Sequence, residues 1–122
     1  MAYKPQFKVK ATYMRGGTSK GTFFNIADLP KEAQEDGAKR DKLLQRIVGS
    51  PDVYKKQMDG MGGASSSTSK AILVGKSDVE NHDVDYYFCQ VAIDKDFVDM
   101  SGNCGNLSSA VGPFAITEGM VD

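Results

Sequence analysis

The sequence is poor in the residues that mark several classes of protein. It has no Trp and two Cys among 122 residues, and no apolar run approaches the roughly 20 residues that a membrane-spanning helix needs. Two cysteines make no disulfide framework, and the first eight residues form no apolar signal segment, so we expect a cytoplasmic protein. With 15 Lys+Arg against 16 Asp+Glu, the net charge is −1, which argues against nucleic-acid binding.

Motifs for metals and nucleotide cofactors are also missing. Cys89 and Cys104 are not in a CxxC pair, and the single histidine, His82, lies in an acidic turn, so no zinc-site spacing is present. Residues 60–65 (Gly-Met-Gly-Gly-Ala-Ser) lack the third glycine of a dinucleotide fingerprint. We therefore expect neither a metal nor a cofactor.

Glycine, by contrast, is abundant and clustered. The 13 glycines amount to about half again the usual share of ~7%. Most of them fall within residues 16–21, 60–63 and 102–112, and each cluster also carries hydroxyl, amide, thiol or amine side chains. Loops that allow close backbone approach predict one small-molecule site.

The hydropathy pattern predicts an α+β fold. Residues 7–13 alternate apolar with polar, which is typical of a strand, and residues 15–21 form a polar hairpin tip. Residues 70–75 and 86–93 have the composition of further strands. The stretch after Cys104 is apolar or small on nearly every side, which predicts a buried helix that Pro113 kinks or divides. We expect largely antiparallel strands around that helix.

Another helix is predicted within residues 31–48, with Gly37 dividing the stretch. The apolar face consists of Leu43, Leu44, Ile47 and Val48. The opposite face, predicted to be solvated, consists of Lys39, Arg40, Lys42, Gln45 and Arg46.

Two residues are candidates for chemistry. Cys104 opens the predicted buried helix, and a thiol at a helix N-terminus has a lowered pKa, while the free N–H groups there suit a carboxylate. The alternative, a small hydrophobic core residue, is the interpretation that we favour for Cys89. Lys70 follows a run of Ser and Thr and leads into an apolar strand, where an amine can serve as a general base. An ordinary lysine flanking a strand is the alternative.

Three segments together resemble the 2-methylaconitate cis-trans isomerase (PrpF) family, which includes 4-oxalomesaconate tautomerases and shares the diaminopimelate epimerase-like fold. Residues 14–21 read Met-Arg-Gly-Gly-Thr-Ser-Lys-Gly, and residues 59–70 read Asp-Gly-Met-Gly-Gly-Ala-Ser-Ser-Ser-Thr-Ser-Lys. Residues 100–116 read Met-Ser-Gly-Asn-Cys-Gly-Asn-Leu-Ser-Ser-Ala-Val-Gly-Pro-Phe-Ala-Ile. The similarity runs in order along nearly the whole chain.

This resemblance implies two similar domains, each a β-barrel-like sheet wrapped around a central helix, with the active site between them. It also implies cofactor-free isomerisation of an unsaturated tricarboxylate in propionate metabolism. Lys70 and Cys104 match the family's catalytic lysine and cysteine, although which is base and which is acid stays open. The residues that match its carboxylate-binding segments are Arg15, Gly17, Thr18, Ser19, Ser66, Ser67, Thr68, Ser69, Asn103, Gly105 and Asn106.

Family members are roughly three times longer than this chain. Residues 1–122 are therefore expected to be the N-terminal, truncated portion of one epimerase-like domain, with the second domain absent. Alternatives to an isomerase are a non-catalytic carboxylate-binding fragment, a 4-oxalomesaconate-type tautomerase, or an accessory protein to an aconitase-like dehydratase. A homo-oligomer is a further expectation.

Overall fold

The computed structural model describes residue 6 and residues 8–121. Five strands form one sheet whose spatial order, β1-β2-β3-β4-β5, follows the chain. The strands are Thr12–Gly16 (β1), Ser19–Asn25 (β2), Lys70–Lys76 (β3), Val84–Val91 (β4) and Val98–Asp99 (β5). The helices are Ala38–Val48 (α1), Gly105–Ser108 (α2) and Val111–Thr117 (α3), with single 3₁₀ turns at Ile26–Asp28 and Lys31–Ala33.

The sheet is antiparallel except for one pair. β2 and β3 run parallel, with Thr22 opposite Ala71 in the register. Parallel neighbours need a crossover connection, and residues 26–69 provide it with α1 inside it. Gly49, in a left-handed conformation (φ 91°), caps α1, which ends at Val48 as the predicted helix does.

Helices cover both faces of the sheet. On β3, Ile72 and Val74 pack in one cluster with residues of α2 and α3. Ala71 and Leu73 pack in a second cluster, on the face that α1 covers. A strand buried on both faces reads as a continuous apolar run, which explains the composition of β3. The α+β class predicted from the sequence is confirmed.

The predicted first strand begins later than its alternating pattern. Residue 7 lies outside the described residues, and residues 8–11 are not in a strand. The pairing of β1 with β2 stops at Thr12 opposite Phe23, although β2 continues to Asn25. The hairpin tip is shorter than predicted: Gly17, with φ 55°, and Thr18 make the turn.

Two members of the predicted solvated face of α1 are buried, so that part of the prediction is wrong. The Arg40 guanidinium contacts the Asp36 carboxylate and the Met100 sulfur. The Gln45 amide donates to Asp96 Oδ1 at 2.9 Å. Met100 and Asp96, far along the chain, fold over this side of the helix, and Asp96 gives Gln45 a polar partner, whereas the carboxylate that contacts Arg40 belongs to the nearby Asp36.

The segment after Cys104 forms two short helices on one face of the sheet. Pro113 has no N–H to give to the carbonyl of residue 109, and the break between α2 and α3 falls at residues 109–110. Leu107 and Phe114 are buried against the sheet, whereas Ile116 is exposed. In residues 8–121, therefore, the sheet supports these helices from one side and does not enclose them. None of the described helices is long and apolar enough to cross a membrane.

Candidate functional site

Lys70, Ser19 and Cys104 meet at one end of the sheet. Lys70 Nζ donates to Ser19 Oγ at 3.0 Å and to Cys104 Sγ at 3.4 Å. Sγ and Oγ are 3.7 Å apart, which closes a triangle of amine, hydroxyl and thiol. Lys70 is 9% exposed and Cys104 8%, so all three groups interact in a largely desolvated setting.

The strand arrangement brings these residues together. Ser19 is the first residue of β2 and Lys70 is the first residue of the parallel strand β3, so the two residues lie at the same end of neighbouring strands. Gly21 allows the layers to approach, because a Cβ there would lie 3.0 Å from Leu107 Cδ1 and 3.1 Å from the Lys70 carbonyl oxygen. The third residue, Cys104, is the N-cap of α2, which packs on the face of the sheet that carries Phe23 and Ile72.

The surroundings of Cys104 favour its thiolate. Burial raises the pKa of the thiol, but the Leu107 amide, the Ser19 hydroxyl and the Lys70 amine lower it, and the net pKa lies below the ordinary value. The Leu107 amide donates to Sγ at 3.4 Å. Each of these donors stabilises negative charge on the sulfur.

The other thiol has the opposite character. Cys89 is fully buried in β4, in the cluster that faces α1. Burial raises the pKa of Cys89 to about 12. As the sequence predicts, it is a core residue.

The loop at residues 103–106 contacts the β1–β2 turn. Asn106 Nδ2 donates to Thr18 Oγ1 at 3.1 Å. A Cβ on Gly16 would lie 2.9 Å from Leu107 Cα, and one on Gly17 would overlap the Asn106 carboxamide. Gly105 and Asn106 are exposed, and their amides belong to the first turn of α2, where N–H groups have no partner within the helix.

Residues 65–69 (Ser-Ser-Ser-Thr-Ser) form a serine-rich loop that contacts Gln57, a fully buried residue. Gln57 Nε2 donates to Ser50 Oγ at 3.0 Å and to Ser69 Oγ at 2.8 Å, while its Oε1 accepts from the Ala64 amide. Ser69 in turn donates to the Val91 carbonyl at 2.7 Å. The Ser69 hydroxyl is thus used inside the protein, next to Lys70.

The remaining predicted loop residues lie nearer the surface. The Ser66 carbonyl accepts from Gln90 Nε2 at 3.0 Å, and the Ser67 carbonyl accepts from the Lys20 amide at 3.0 Å. Thr68 Oγ1 is 2.7 Å from Ser65 Oγ. The carbonyls of Ser66 and Ser67 thus anchor the loop by its backbone.

Arg15 is exposed in β1, with its guanidinium 3.5 Å from the Gly17 carbonyl. It does not contact Lys70 or Cys104.

Sequence reasoning missed three residues around the site, namely Phe88, Tyr86 and Gln57. Phe88 lies beneath the amine, with Lys70 Nζ 5.8 Å from its ring centroid. Tyr86, two residues earlier on the same face of β4, donates to Asn103 Oδ1 at 2.7 Å. The two-residue period of β4 was the available signal for this pair, whereas nothing in the sequence around Gln57 indicates its burial.

No three His, Cys, Asp or Glu side chains among residues 6 and 8–121 are grouped so as to hold a metal ion.

The chain is similar in sequence to known proteins. A family model described as PrpF protein matches residues 6–122. The chain belongs to the PrpF family. Among PrpF relatives, it is 64% identical to a 2-methyl-aconitate isomerase of Shewanella oneidensis over 98% of this chain and 30% of that protein. It is 63% identical to a 2-methyl-aconitate isomerase of Cupriavidus necator over 100% of this chain and 31% of that protein.

A solved structure supports the fold. The crystal structure of a methylitaconate-delta-isomerase matches with a TM-score of 0.83 at 48% identity, covering 93% of this chain and 28% of that one. The chain thus spans about 30% of the length of the curated relatives it matches.

Proposed function

We propose that the Lys70–Ser19–Cys104 triangle is the proton-transfer centre of an isomerase acting on an unsaturated tricarboxylate of the 2-methylaconitate type. The observation that carries the proposal is the 3.4 Å contact between Lys70 Nζ and Cys104 Sγ. Two groups able to exchange a proton lie side by side, and each can face a different carbon of one substrate. The names of the relatives support the substrate class.

The reaction moves one proton. A base removes a proton allylic to a carboxylate, which leaves a delocalised dienolate whose charge rests on the carboxylate oxygens. An acid then returns a proton to another carbon of the same system, and the double bond changes position or geometry. The amides of Gly105 and Asn106, next to Cys104, are proposed to stabilise the dienolate charge. The scheme consumes no cofactor.

Lys70 is the proposed base and Cys104 the second proton group. Nζ donates to Ser19 and Cys104, so transfer of one proton along the Nζ–Sγ contact interconverts thiolate–ammonium with thiol–amine. The neutral amine accepts the substrate proton and the thiol supplies one to the other carbon, which regenerates the thiolate–ammonium form. The pair returns to its starting state without a net change in protons.

The test is proton exchange followed by NMR. The chain is incubated in D2O with trans-aconitate or 2-methylaconitate, alongside Lys70→Ala and Cys104→Ala and, as a matched control, Lys76→Ala at the exposed far end of the same strand. We expect deuterium at the allylic position with the parent chain and Lys76→Ala, and its loss in the other two variants. Exchange that persists in Lys70→Ala contradicts the assignment of the base.

A second candidate function is carboxylate binding without turnover. It is favoured by the length of the chain, which spans about 30% of its relatives. In that case the folded chain shows no exchange, while trans-aconitate still shifts the backbone amide signals of residues 103–106. A dehydratase partner and a homo-oligomer stay predictions from the resemblance.

A further inference from the structure

Tyr86 takes no part in the proposed proton transfer, yet its hydroxyl reaches the loop that carries Cys104. Tyr86 lies in β4 opposite Val74 of β3. Its hydroxyl donates to Asn103 Oδ1 at 2.7 Å, and the backbone N–H of Cys104 donates to the same oxygen at 2.9 Å. Two donors on different elements therefore converge on one carbonyl oxygen.

This convergence fixes which way the Asn103 carboxamide faces. A backbone N–H can only donate, so the atom that faces Cys104 must be the carbonyl oxygen. The Nδ2 group then lies on the far side of Cγ. Asn103 is exposed, and none of the described residues accepts a hydrogen bond from its Nδ2. Two N–H donors are thus presented next to the catalytic pair.

We propose that Tyr86 is a positioning residue, whose hydroxyl holds the Asn103 carboxamide so that its N–H donors meet a substrate carboxylate. The identity of that ligand rests on the proposed function. With only the Cys104 bond left, the carboxamide can turn about its terminal torsion, which has a broad energy profile. A turned carboxamide presents its oxygen to the anion, and the two negative ends repel each other.

The first arm of the test needs no ligand. The variant Tyr86→Phe removes one oxygen and keeps the ring that packs against the core. The control is Tyr87→Phe, whose side chain projects from the other face of the same strand. We expect the ¹⁵N heteronuclear NOE of the Asn103 side-chain amide to fall in Tyr86→Phe toward that of the exposed Asn81, and to stay unchanged in the control. An unchanged value in Tyr86→Phe overturns the proposal.

The second arm measures binding of tricarballylate, a saturated tricarboxylate that cannot react by this route. Tyr86→Phe should raise the dissociation constant by about threefold to tenfold, as expected for one hydrogen bond. In an Asn103→Ala background the same change should have less than about twofold effect, because Tyr86 acts through Asn103. Equal effects in the two backgrounds contradict the proposal.

The two arms separate this inference from the proposed function. A parent chain that fails to bind tricarballylate contradicts the proposed substrate class. The carboxamide measurement then still decides whether Tyr86 holds Asn103.

Discussion

At the scale of single residues, the two cysteines show how position decides reactivity. Cys104 accepts a hydrogen bond from the Leu107 amide and contacts the Lys70 amine, and its pKa is lowered. Cys89 has apolar neighbours in the core, and its pKa is raised to about 12. Thiolates, not thiols, react with alkylating agents. At pH 7, iodoacetamide should therefore modify Cys104 and leave Cys89 intact.

We predict that Ser19→Ala slows this alkylation. Burial raises the pKa of Cys104 and the Ser19 hydroxyl is one of the groups that lower it, so removing the hydroxyl moves the pKa upward. The measurement is the rate of iodoacetamide labelling against pH, with Cys104→Ser to identify the labelled site. Thr18→Ala, whose hydroxyl contacts Asn106, is the control and should leave the profile in place. An unshifted profile in Ser19→Ala would mean that the hydroxyl does not stabilise the thiolate.

Cys89 should make stability depend on alkaline pH. Because its folded-state pKa is raised, the folded state keeps a proton that the unfolded state loses above its own pKa of about 8.5. Its contribution is therefore complete below that value and is lost as the pH rises toward about 12, with a slope of about 1.4 kcal/mol per pH unit. Urea unfolding of the parent chain and of Cys89→Ala between pH 8 and 11 measures the difference. Parallel curves would contradict the prediction.

At the scale of elements, glycine contacts decide how closely the β1–β2 hairpin approaches α2. A Cβ on Gly16 would lie 2.9 Å from Leu107 Cα, a backbone atom that cannot swing aside. We predict that Gly16→Ala destabilises the protein by about 1–3 kcal/mol, as overpacking does. Gly112→Ala is the matched control: nothing lies within 4 Å of its Cβ and α3 contains it, so it should stabilise by about 0.5–1 kcal/mol. Urea unfolding measures both, and equal effects would contradict the packing argument.

The serine-rich loop depends on the chemistry of Gln57 as well as on its shape. Ser69 uses its proton on the Val91 carbonyl and Ser50 uses its own on the Ile93 carbonyl, so both hydroxyls need a donor, which Nε2 supplies. Gln57→Glu removes that donor while keeping the size, and we predict a loss of about 2–4 kcal/mol. Thermal unfolding measures this loss. In the same assay Lys56→Gln, a change at the exposed residue next to Gln57, should have little effect. A variant Gln57→Glu as stable as the parent would contradict this network.

Features of the fold that depend on residues close in sequence were predictable, whereas features that depend on contacts between distant residues were not. The apolar run of β3 and the end of α1 at Val48 are local features, and the sequence predicts them. The burial of Arg40 depends on Met100, sixty residues away, and that of Gln45 on Asp96. Helical periodicity cannot detect such contacts.

The site divides in the same way. Lys70, Ser19 and Cys104 stand out because each belongs to a segment rich in glycine and polar residues. Tyr86 and Phe88 read as ordinary strand residues, and the register of β4 against β3 places Phe88 below the Lys70 amine and Tyr86 within reach of Asn103. The two-residue period of β4 indicates that they share a face, but their neighbours are set by pairing across the sheet, which hydropathy patterns do not encode.

At the scale of the whole molecule, the sheet has a protected centre and weak edges. β3 pairs with β2 and β4 and is buried on both faces, whereas β1 has one partner strand and β5 contributes two residues. Local opening is easier where fewer contacts must break. We predict that amides of Ile72, Leu73 and Val74 exchange with solvent most slowly, and those of β1 and β5 much faster. Hydrogen exchange followed by NMR measures this, and uniform protection across the strands would contradict it.

The place of Lys70 at the start of β3 has a consequence for the energetics of the proposed reaction. Its backbone belongs to the strand with neighbours on every side, and Phe88, Ser19 and Cys104 surround its amine. The conformational entropy of this side chain is therefore lost when the chain folds and not when a substrate arrives. A preorganised amine needs little reorganisation as charge develops in the transition state, which lowers the activation barrier.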